Sequence, residues 1–375
     1  MTKLFTPLKV GSSRLLNRVA MAPMTRFRAD DDWVPIPAVA DYYAQRAAVP
    51  GTLLITEGTV VSAANMGMDN VPGIWTDAQV AAWRKVVDAV HARGGVIFCQ
   101  LWAHGRSGTN DVAKKLGHVV LAPSAIAIPD EGRAEVPREM TEAEIRQAIA
   151  DYALAARNAV ERAGFDGVEI HGANGYLLDQ FLQDMSNKRT DAWGGSVEKR
   201  ARFHVEVVKA VIDAVGADRT GLRLSPYSDY QGMLMEDPKP QFSYLLEQLR
   251  PLKLAYLHAL EERADVAGQS EKQLDPVKNL DWMVKQWDNA SPFIVTGDQN
   301  AKIARETVDE RFKDLDVIVG LGRPFITNPD VVFRFEKELP LELSDDRASF
   351  YEAKSLVGFA DYPYSSEYQA SVGAN

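Results

Sequence analysis

The sequence holds a single cysteine, Cys99. A lone thiol excludes an intramolecular disulfide, a four-cysteine zinc site and a cysteine-ligated iron–sulfur cluster, so no metal is expected and a reducing compartment fits. No run of about 18 apolar residues is present to span a bilayer, and the N-terminal MTKLFTPLKVGSS has no apolar signal core. The chain therefore reads as cytoplasmic, with no membrane partner. Positive charge is in deficit: the formal net charge is −10 and the pI is near 5.2, so nucleic acid would meet net repulsion and is not expected as a partner. A phosphate ligand would have to be held by local donors, which directs attention to arginines beside glycines. No Pro- or Ser-rich linker and no low-complexity segment is found, so residues 1–375 are expected to form one domain. Nothing in the sequence argues against a homodimer.

What the chain does have is a regular alternation. Short β-branched runs recur, each followed by an amphipathic stretch, the pattern of a parallel sheet with crossover helices. The strand candidates are Arg18–Met21, Thr52–Thr56, Gly95–Leu101, Gly167–Ile170, Gly221–Leu224, Ala255–His258, Phe293–Thr296 and Asp316–Val319. That number suits a closed (β/α)8 TIM barrel of the α/β class, which commonly occupies roughly 250 to 400 residues. Thr141-Glu142-Ala143-Glu144 is a capping box, in which the Thr141 hydroxyl and the Glu144 carboxylate satisfy two otherwise unpaired amides. Ile145, Ala148, Ile149, Tyr152, Ala156 and Val160 then recur at helical spacing until Gly164 supplies a left-handed stop. A second helix is predicted over Val197 to Val215, with Phe203, Val207, Val208, Val211 and Ile212 on one face before Gly216. Ala103–Glu139 shows no strong period and reads as an excursion on the barrel's upper face after strand three. Glu261–Lys278 has no clear stop signal apart from Gly268, and no element is assigned to it.

In such a barrel the chemistry sits at the carboxyl ends of the strands. Strand one is followed by Pro23-Met24-Thr25-Arg26, strand two by Glu57-Gly58, and strand three ends in Gln100-Leu101-Trp102. Strand four ends in His171-Gly172-Ala173-Asn174-Gly175-Tyr176. A histidine and an asparagine can each donate toward one carbonyl oxygen and stabilise charge growing there, while a phenol can donate a proton. The bland alternative is that His171 caps the strand and Tyr176 packs under a loop. Arg223, near the end of strand five, needs an anion or an electron-rich ring if it points into the barrel mouth. Strands seven and eight end in Val295-Thr296-Gly297-Asp298 and Val319-Gly320-Leu321-Gly322-Arg323, where barrels often bind phosphate. Their glycines let amides approach a ligand closely, and Arg323 adds a positive charge.

These residues resemble the Old Yellow Enzyme family of flavin ene-reductases along nearly the whole chain. The similarity is carried by Phe5-Thr6-Pro7-Leu8, Met21-Ala22-Pro23-Met24-Thr25-Arg26, Tyr42-Tyr43-Ala44-Gln45-Arg46, Ile55-Thr56-Glu57-Gly58, Gln100-Leu101-Trp102, His171 to Phe181, Asn187 to Phe203 and Gly221 to Tyr227. Arg26-Phe27-Arg28-Ala29-Asp30 and Val71-Pro72-Gly73-Ile74-Trp75 resemble its fungal members, including reductases of ergot-alkaloid pathways.

The resemblance implies bound FMN and a nicotinamide reductant, NADPH or NADH, that reduces the flavin and leaves. An α,β-unsaturated aldehyde or ketone then takes its place, in ping-pong fashion. It implies catalytic roles for His171 and Asn174, on the substrate carbonyl, and for Tyr176 as proton donor. FMN contacts are implied for Pro23, Met24, Thr25, Gly58, Gln100, His171, Arg223, Gly297, Asp298, Gly322, Arg323 and Phe350. Substrate contacts are implied for Trp102, His171, Asn174 and Tyr351. Asp298 stands where the family often has a neutral residue, so it would offer its amide with its carboxylate turned outward. A variant in the fungal branch lacks the tyrosine and behaves as an isomerase, whereas Tyr176 is present here. The alternatives are an isomerase-type or non-catalytic flavin-binding barrel. A dienoyl-thioester reductase of the same lineage is excluded, since it needs an iron–sulfur cluster.

Overall fold

Side chains alternate in direction along a strand, and this alternation divides the interior into two cores. The computed structural model describes residues 2–129, 135–262, 278–297, 300–344 and 346–373. Among the described residues eight parallel strands close on themselves: β1 (Val19–Met21), β2 (Leu53–Ile55), β3 (Val96–Trp102), β4 (Gly167–Gly172), β5 (Thr220–Leu224), β6 (Tyr256–Leu260), β7 (Phe293–Thr296) and β8 (Val317–Leu321). The ring closes where β8 meets β1, with Val319 opposite Val19 and Leu321 opposite Met21. The expected TIM barrel is thus the observed architecture. Strands β4, β6 and β8 run further toward the carboxyl end than local patterning indicates. Their extra residues find ladder partners on neighbouring strands, Gly172 opposite Leu224 and Leu260 opposite Thr296, which no local signal reports.

Outward-facing residues such as Val168, Ile170, Leu222 and Leu224 pack under the helices in the larger core. That layer also holds Cys99, whose thiol burial pushes up to about 12, so it packs as a small apolar group. Inward-facing Ala20, Leu53, Ile55, Phe98, Tyr256, Ile294 and Ile318 form a second, smaller core. It is closed from below by an N-terminal hairpin pairing Leu8–Val10 with Ser13–Leu15. Each aliphatic side chain removed from water here contributes roughly 1.5–3 kcal/mol. Gly11 turns the hairpin at φ +54°, and a Cβ there would meet the Asp218 carbonyl at 1.8 Å.

The crossover helices are α1 (Ala38–Arg46), α2 (Asp77–His91), α3 (Glu142–Arg157), α4 (Val197–Val215), α5 (Lys239–Leu249), α6 (Asp281–Trp287) and α7 (Ala301–Glu306), with α8 (Val331–Lys337) after the last strand. Helix α3 begins at the predicted capping box: the Glu144 amide donates to Thr141 Oγ1 at 3.3 Å and the Thr141 amide to Glu144 Oε2 at 2.8 Å. It continues as a π-helical turn, Asn158–Ala163, and stops at Gly164 with φ +86°. Helix α4 has its predicted bounds, is capped by Ser196, and buries Phe203, Val207, Val208 and Val211. The excursion after β3 holds a short helix, Asn110–Lys115, capped by Thr109, and a pairing of Leu121–Ala122 with Arg138–Glu139. Of Glu261–Lys278, residues 263–277 lie outside the described residues.

Candidate active site

Above the apolar floor the strands change character, and their carboxyl ends surround a cavity of about 520 Å³, within the range of small-molecule sites, roughly 300–1,000 Å³. The loop after β1 contributes Pro23, Met24 and Thr25, and the loop after β2 contributes Gly58. Gln100 and Trp102 come from β3, His171, Asn174 and Tyr176 from β4 and its loop, and Arg223 from β5. Gly297, Gly322 and Arg323 follow β7 and β8, and Tyr351 comes from the C-terminal segment. One expected residue does not line it. Phe350 is buried beside the cavity without lining it, and its carbonyl accepts from Arg26 Nε at 3.0 Å. Asp298 lies outside the described residues.

The loop after β4 is held from several sides. The Ala173 amide donates to His171 Nδ1 at 3.3 Å. Burial first, then the neighbouring charges of Arg223, His258 and His104, keeps the His171 pKa well below the ordinary histidine value. A neutral ring with Nδ1 accepting carries its proton on Nε2. Asn174 has φ +55°, a conformation asparagine tolerates better than most residues. Its backbone amide donates to Ser225 Oγ at 2.7 Å, and its side-chain Oδ1 is buried without a partner. The Gly175 amide donates to Asp179 Oδ2 at 2.9 Å, and Gln180 Nε2 donates to the Gly175 carbonyl at 2.7 Å. Tyr176 stands edge-on to Trp102 with ring centroids 4.8 Å apart, and 5.0 Å from His171. Three polar groups suited to carbonyl activation and proton donation therefore share one wall.

The cavity's other donors are cationic, and one of them, Arg223, stands opposite His171 on the neighbouring strand. Arg223 is enclosed and its Nε is buried with no hydrogen-bond partner, the arrangement of a guanidinium that awaits an electron-rich group. Gly322 is not imposed by packing, since a Cβ there would approach nothing closer than Met24 Sδ at 3.6 Å. With Arg323 beside it, the open backbone suits a phosphate. The described residues contain no group of three or more His, Cys, Asp or Glu placed to hold a metal ion, and no helix among them is long and apolar enough to cross a membrane.

The sequence reading missed Phe27, Met68, Tyr230, Leu260, Thr296 and Ile326, which also line the cavity. Phe27 carried a usable signal, being an aromatic between two arginines. Arg26 and Arg28 turn away to bind carbonyls of Ser349, Phe350, Ser355 and Gly358. Phe27, at φ +55°, keeps its carbonyl on the Lys354 amide at 2.9 Å and faces the cavity. Glu57, which accepts the Arg26 amide at 3.2 Å, lies beside this pair of arginines, and burial raises its carboxyl to about 7.

Comparison with known proteins agrees with this geometry. A family model described as NADH:flavin oxidoreductase / NADH oxidase matches residues 3–342. Chanoclavine-I aldehyde reductase fgaOx3 of Penicillium roqueforti (strain FM164) is 54% identical over 375 residues, 100% of both chains. The probable inactive reductase easA of Epichloe festucae var. lolii is 45% identical, over 98% of this chain and 96% of its own. Old Yellow Enzyme from Pichia sp. AKU4542 superposes with a TM-score of 0.89 at 38% identity, covering 97% of this chain and 94% of that one.

Proposed function

The chain belongs to the NADH:flavin oxidoreductase / NADH oxidase family, and we propose that it reduces the carbon–carbon double bond of an α,β-unsaturated aldehyde or ketone, an aldehyde being the substrate for which its relative fgaOx3 is named. It is an FMN-dependent oxidoreductase of the Old Yellow Enzyme type, supplied with electrons by a nicotinamide. The observation that carries the reading is the wall formed by His171, Asn174 and Tyr176 on one side of a cavity whose remaining surface is partly aromatic.

Pro23, Met24, Thr25, Gly58, Gln100 and Arg223 would hold the flavin ring, and Gly297, Gly322 and Arg323 its phosphate. FMN bound there would supply the hydride for the β-carbon. His171 Nε2–H and the Asn174 side-chain NH2 would donate to the substrate oxygen, favouring the enolate-like charge that develops on it. The Tyr176 hydroxyl gives its proton to the α-carbon, completing the addition of one hydride and one proton. Phe27, Met68, Trp102, Tyr230 and Tyr351 offer apolar surface to the rest of the substrate and exclude water from the reacting atoms. A single buried thiol supports a reducing, cytoplasmic setting.

Adding NADPH or NADH to the purified protein tests this, since it should bleach the flavin absorbance, and an enal such as cinnamaldehyde should then restore it without oxygen. Mass analysis of the released cofactor should find FMN. Bleaching with no recovery on any enal or enone would favour the non-catalytic reading, and no bleaching at all would remove the reductase reading.

A further inference from the structure

Two buried side chains below the cavity, Glu169 and His258, join two of the residues that line it, Gln100 and Thr296, and have no role in the contacts described so far. Gln100, Glu169 and His258 each sit two positions before Trp102, His171 and Leu260 on their strands, and so face the barrel axis one layer deeper. Gln100 Nε2 donates to Glu169 Oε1 at 2.8 Å, Glu169 Oε2 meets His258 Nδ1 at 2.8 Å, and His258 Nε2 meets Thr296 Oγ1 at 2.6 Å. Glu169 and His258 are completely buried, and Gln100 and Thr296 nearly so. A carboxylate in such a place is retained only if its oxygens are satisfied and its charge opposed.

The hydrogen-bonding roles follow from the groups themselves. Carboxylate oxygens only accept, so Gln100 must present its NH2 to Glu169 and its Oε1 elsewhere. Flipping the amide would set oxygen against oxygen. His258 donates from Nδ1, and burial favours its neutral ring, so Nε2 accepts from the Thr296 hydroxyl. The chain is therefore directed from Thr296 through His258 to Glu169, where Gln100 joins it from the other side. The opposing charge is Arg223, whose strand neighbours in register are His171 and His258 and whose Nε has no partner.

We propose that Glu169, held in place by His258 and Thr296, is the positioning residue for the flavin's pyrimidine edge. It fixes Gln100 with its carbonyl oxygen outward to receive a ring N–H, and it offsets the charge of Arg223. The proposal rests on FMN occupying the cavity. Glu169 itself touches no cofactor atom and acts through its two neighbours. Thr296 begins the Thr296-Gly297 loop, so one chain of hydrogen bonds ties the residue that reads the ring to the loop offered to the phosphate.

Two readouts separate this from a merely structural role. The first is discrimination between FMN and 3-methyl-FMN, in which the ring N–H is replaced, by titration into the deflavinated full chain. The wild type should prefer FMN by roughly tenfold, the effect of one specific hydrogen bond. In Glu169→Gln the amide oxygen is taken by His258 Nδ1–H and the NH2 faces Gln100, whose own amide then turns over, and the preference should collapse toward one or below. The second is the midpoint potential of the holoenzyme. Arg223 left unopposed should favour the electron-rich reduced cofactor, so Glu169→Gln should shift the potential to a more positive value. Glu169→Asp keeps the charge but loses reach, and should lose the preference while holding the potential near wild type. Wild-type discrimination in Glu169→Asp, or a wild-type potential in Glu169→Gln, overturns the proposal. If Glu169→Gln does not fold, the aspartate variant decides alone. A wild-type chain that binds no FMN would instead overturn the reading of the cavity.

Discussion

The backbone amide of Ala173 reaches back to His171 and donates to Nδ1 at 3.3 Å, an arrangement in which the neutral imidazole carries its proton on Nε2. With Nδ1 occupied as acceptor, Nε2–H is the donor left for a ligand in the cavity. A phenol whose oxygen mimics the enolate should use it together with Asn174. His171→Ala and Asn174→Ala are each expected to weaken such a phenol by roughly 10- to 100-fold, the effect of losing a hydrogen bond of about 1.5–3 kcal/mol to a charged oxygen. Titrating the flavin charge-transfer band checks this. Wild-type phenol affinity in both folded variants would remove these residues from the oxygen-binding role.

How much of this was legible beforehand depends on how far apart the determinants lie in the chain. The barrel could be read because its signals are local: the Thr141 capping box, the helical period through Val160 and the stop at Gly164 all fall within a few turns. That His171, Asn174 and Tyr176 share one cavity wall could be read because a strand end and its loop are contiguous. The residues that were missed depend on contacts across the barrel. Glu169 and His258 alternate with apolar neighbours as inward-facing residues do, yet only the closure of the ring brings their side chains within 2.8 Å. Phe27 faces the cavity because its flanking arginines bind a segment more than 300 positions away. Phe350 shows the converse, since its position in a motif suggested a flavin contact while its carbonyl and ring serve Arg26. The N-terminal hairpin, with strands Leu8–Val10 and Ser13–Leu15, was too short to show a period.

Arg323→Ala addresses the phosphate end. The side chain is half-buried beside Gly322 at the cavity wall, and the loss of a charge-assisted contact should reduce FMN affinity by roughly 1.5–3 kcal/mol. Riboflavin, which lacks the phosphate, should bind the variant and the wild type alike. Measuring both dissociation constants checks this, and an FMN affinity unchanged by the substitution would place the phosphate elsewhere.

Stability should depend on pH through buried groups of opposite kinds. Burial lowers His104 to about 4 and His204 to about 3. A depressed histidine stabilises the fold fully above its unfolded value, near 6.5, and that contribution is lost as pH falls through the folded values. Burial raises Glu57 and Asp179 to about 7, so their contribution is present below roughly pH 4 and lost as pH rises toward 7. Between about 4.5 and 6.5 the two effects oppose. Below about 4.5 that opposition ends, and Glu144, whose hydrogen bond from Arg138 lowers its carboxyl to about 2, loses its contribution alongside the histidines, so urea midpoints should fall most steeply there. His104→Phe should reduce the slope of stability with pH by up to about 1.4 kcal/mol per unit between pH 4 and 6, the weight of one proton. An unchanged slope would assign the acid sensitivity to other groups.

Tyr176→Phe should separate the two halves of the catalytic cycle. The ring packs edge-on against Trp102 at 4.8 Å and near His171 at 5.0 Å, contacts a phenylalanine ring retains, so the variant alters proton supply with little change of shape. The phenolic proton is needed only where the α-carbon is protonated. Reduction of the flavin by a nicotinamide consumes no such proton and should proceed near the wild-type rate. Reoxidation by an enal should slow by roughly 10²- to 10⁴-fold, the range of a single positioned general acid, with water supplying the residual rate. Stopped-flow absorbance under anaerobic conditions resolves the two steps. Equal slowing of both would mean that the substitution disturbs the cavity wall, and an unaffected oxidative step would assign the proton to another donor.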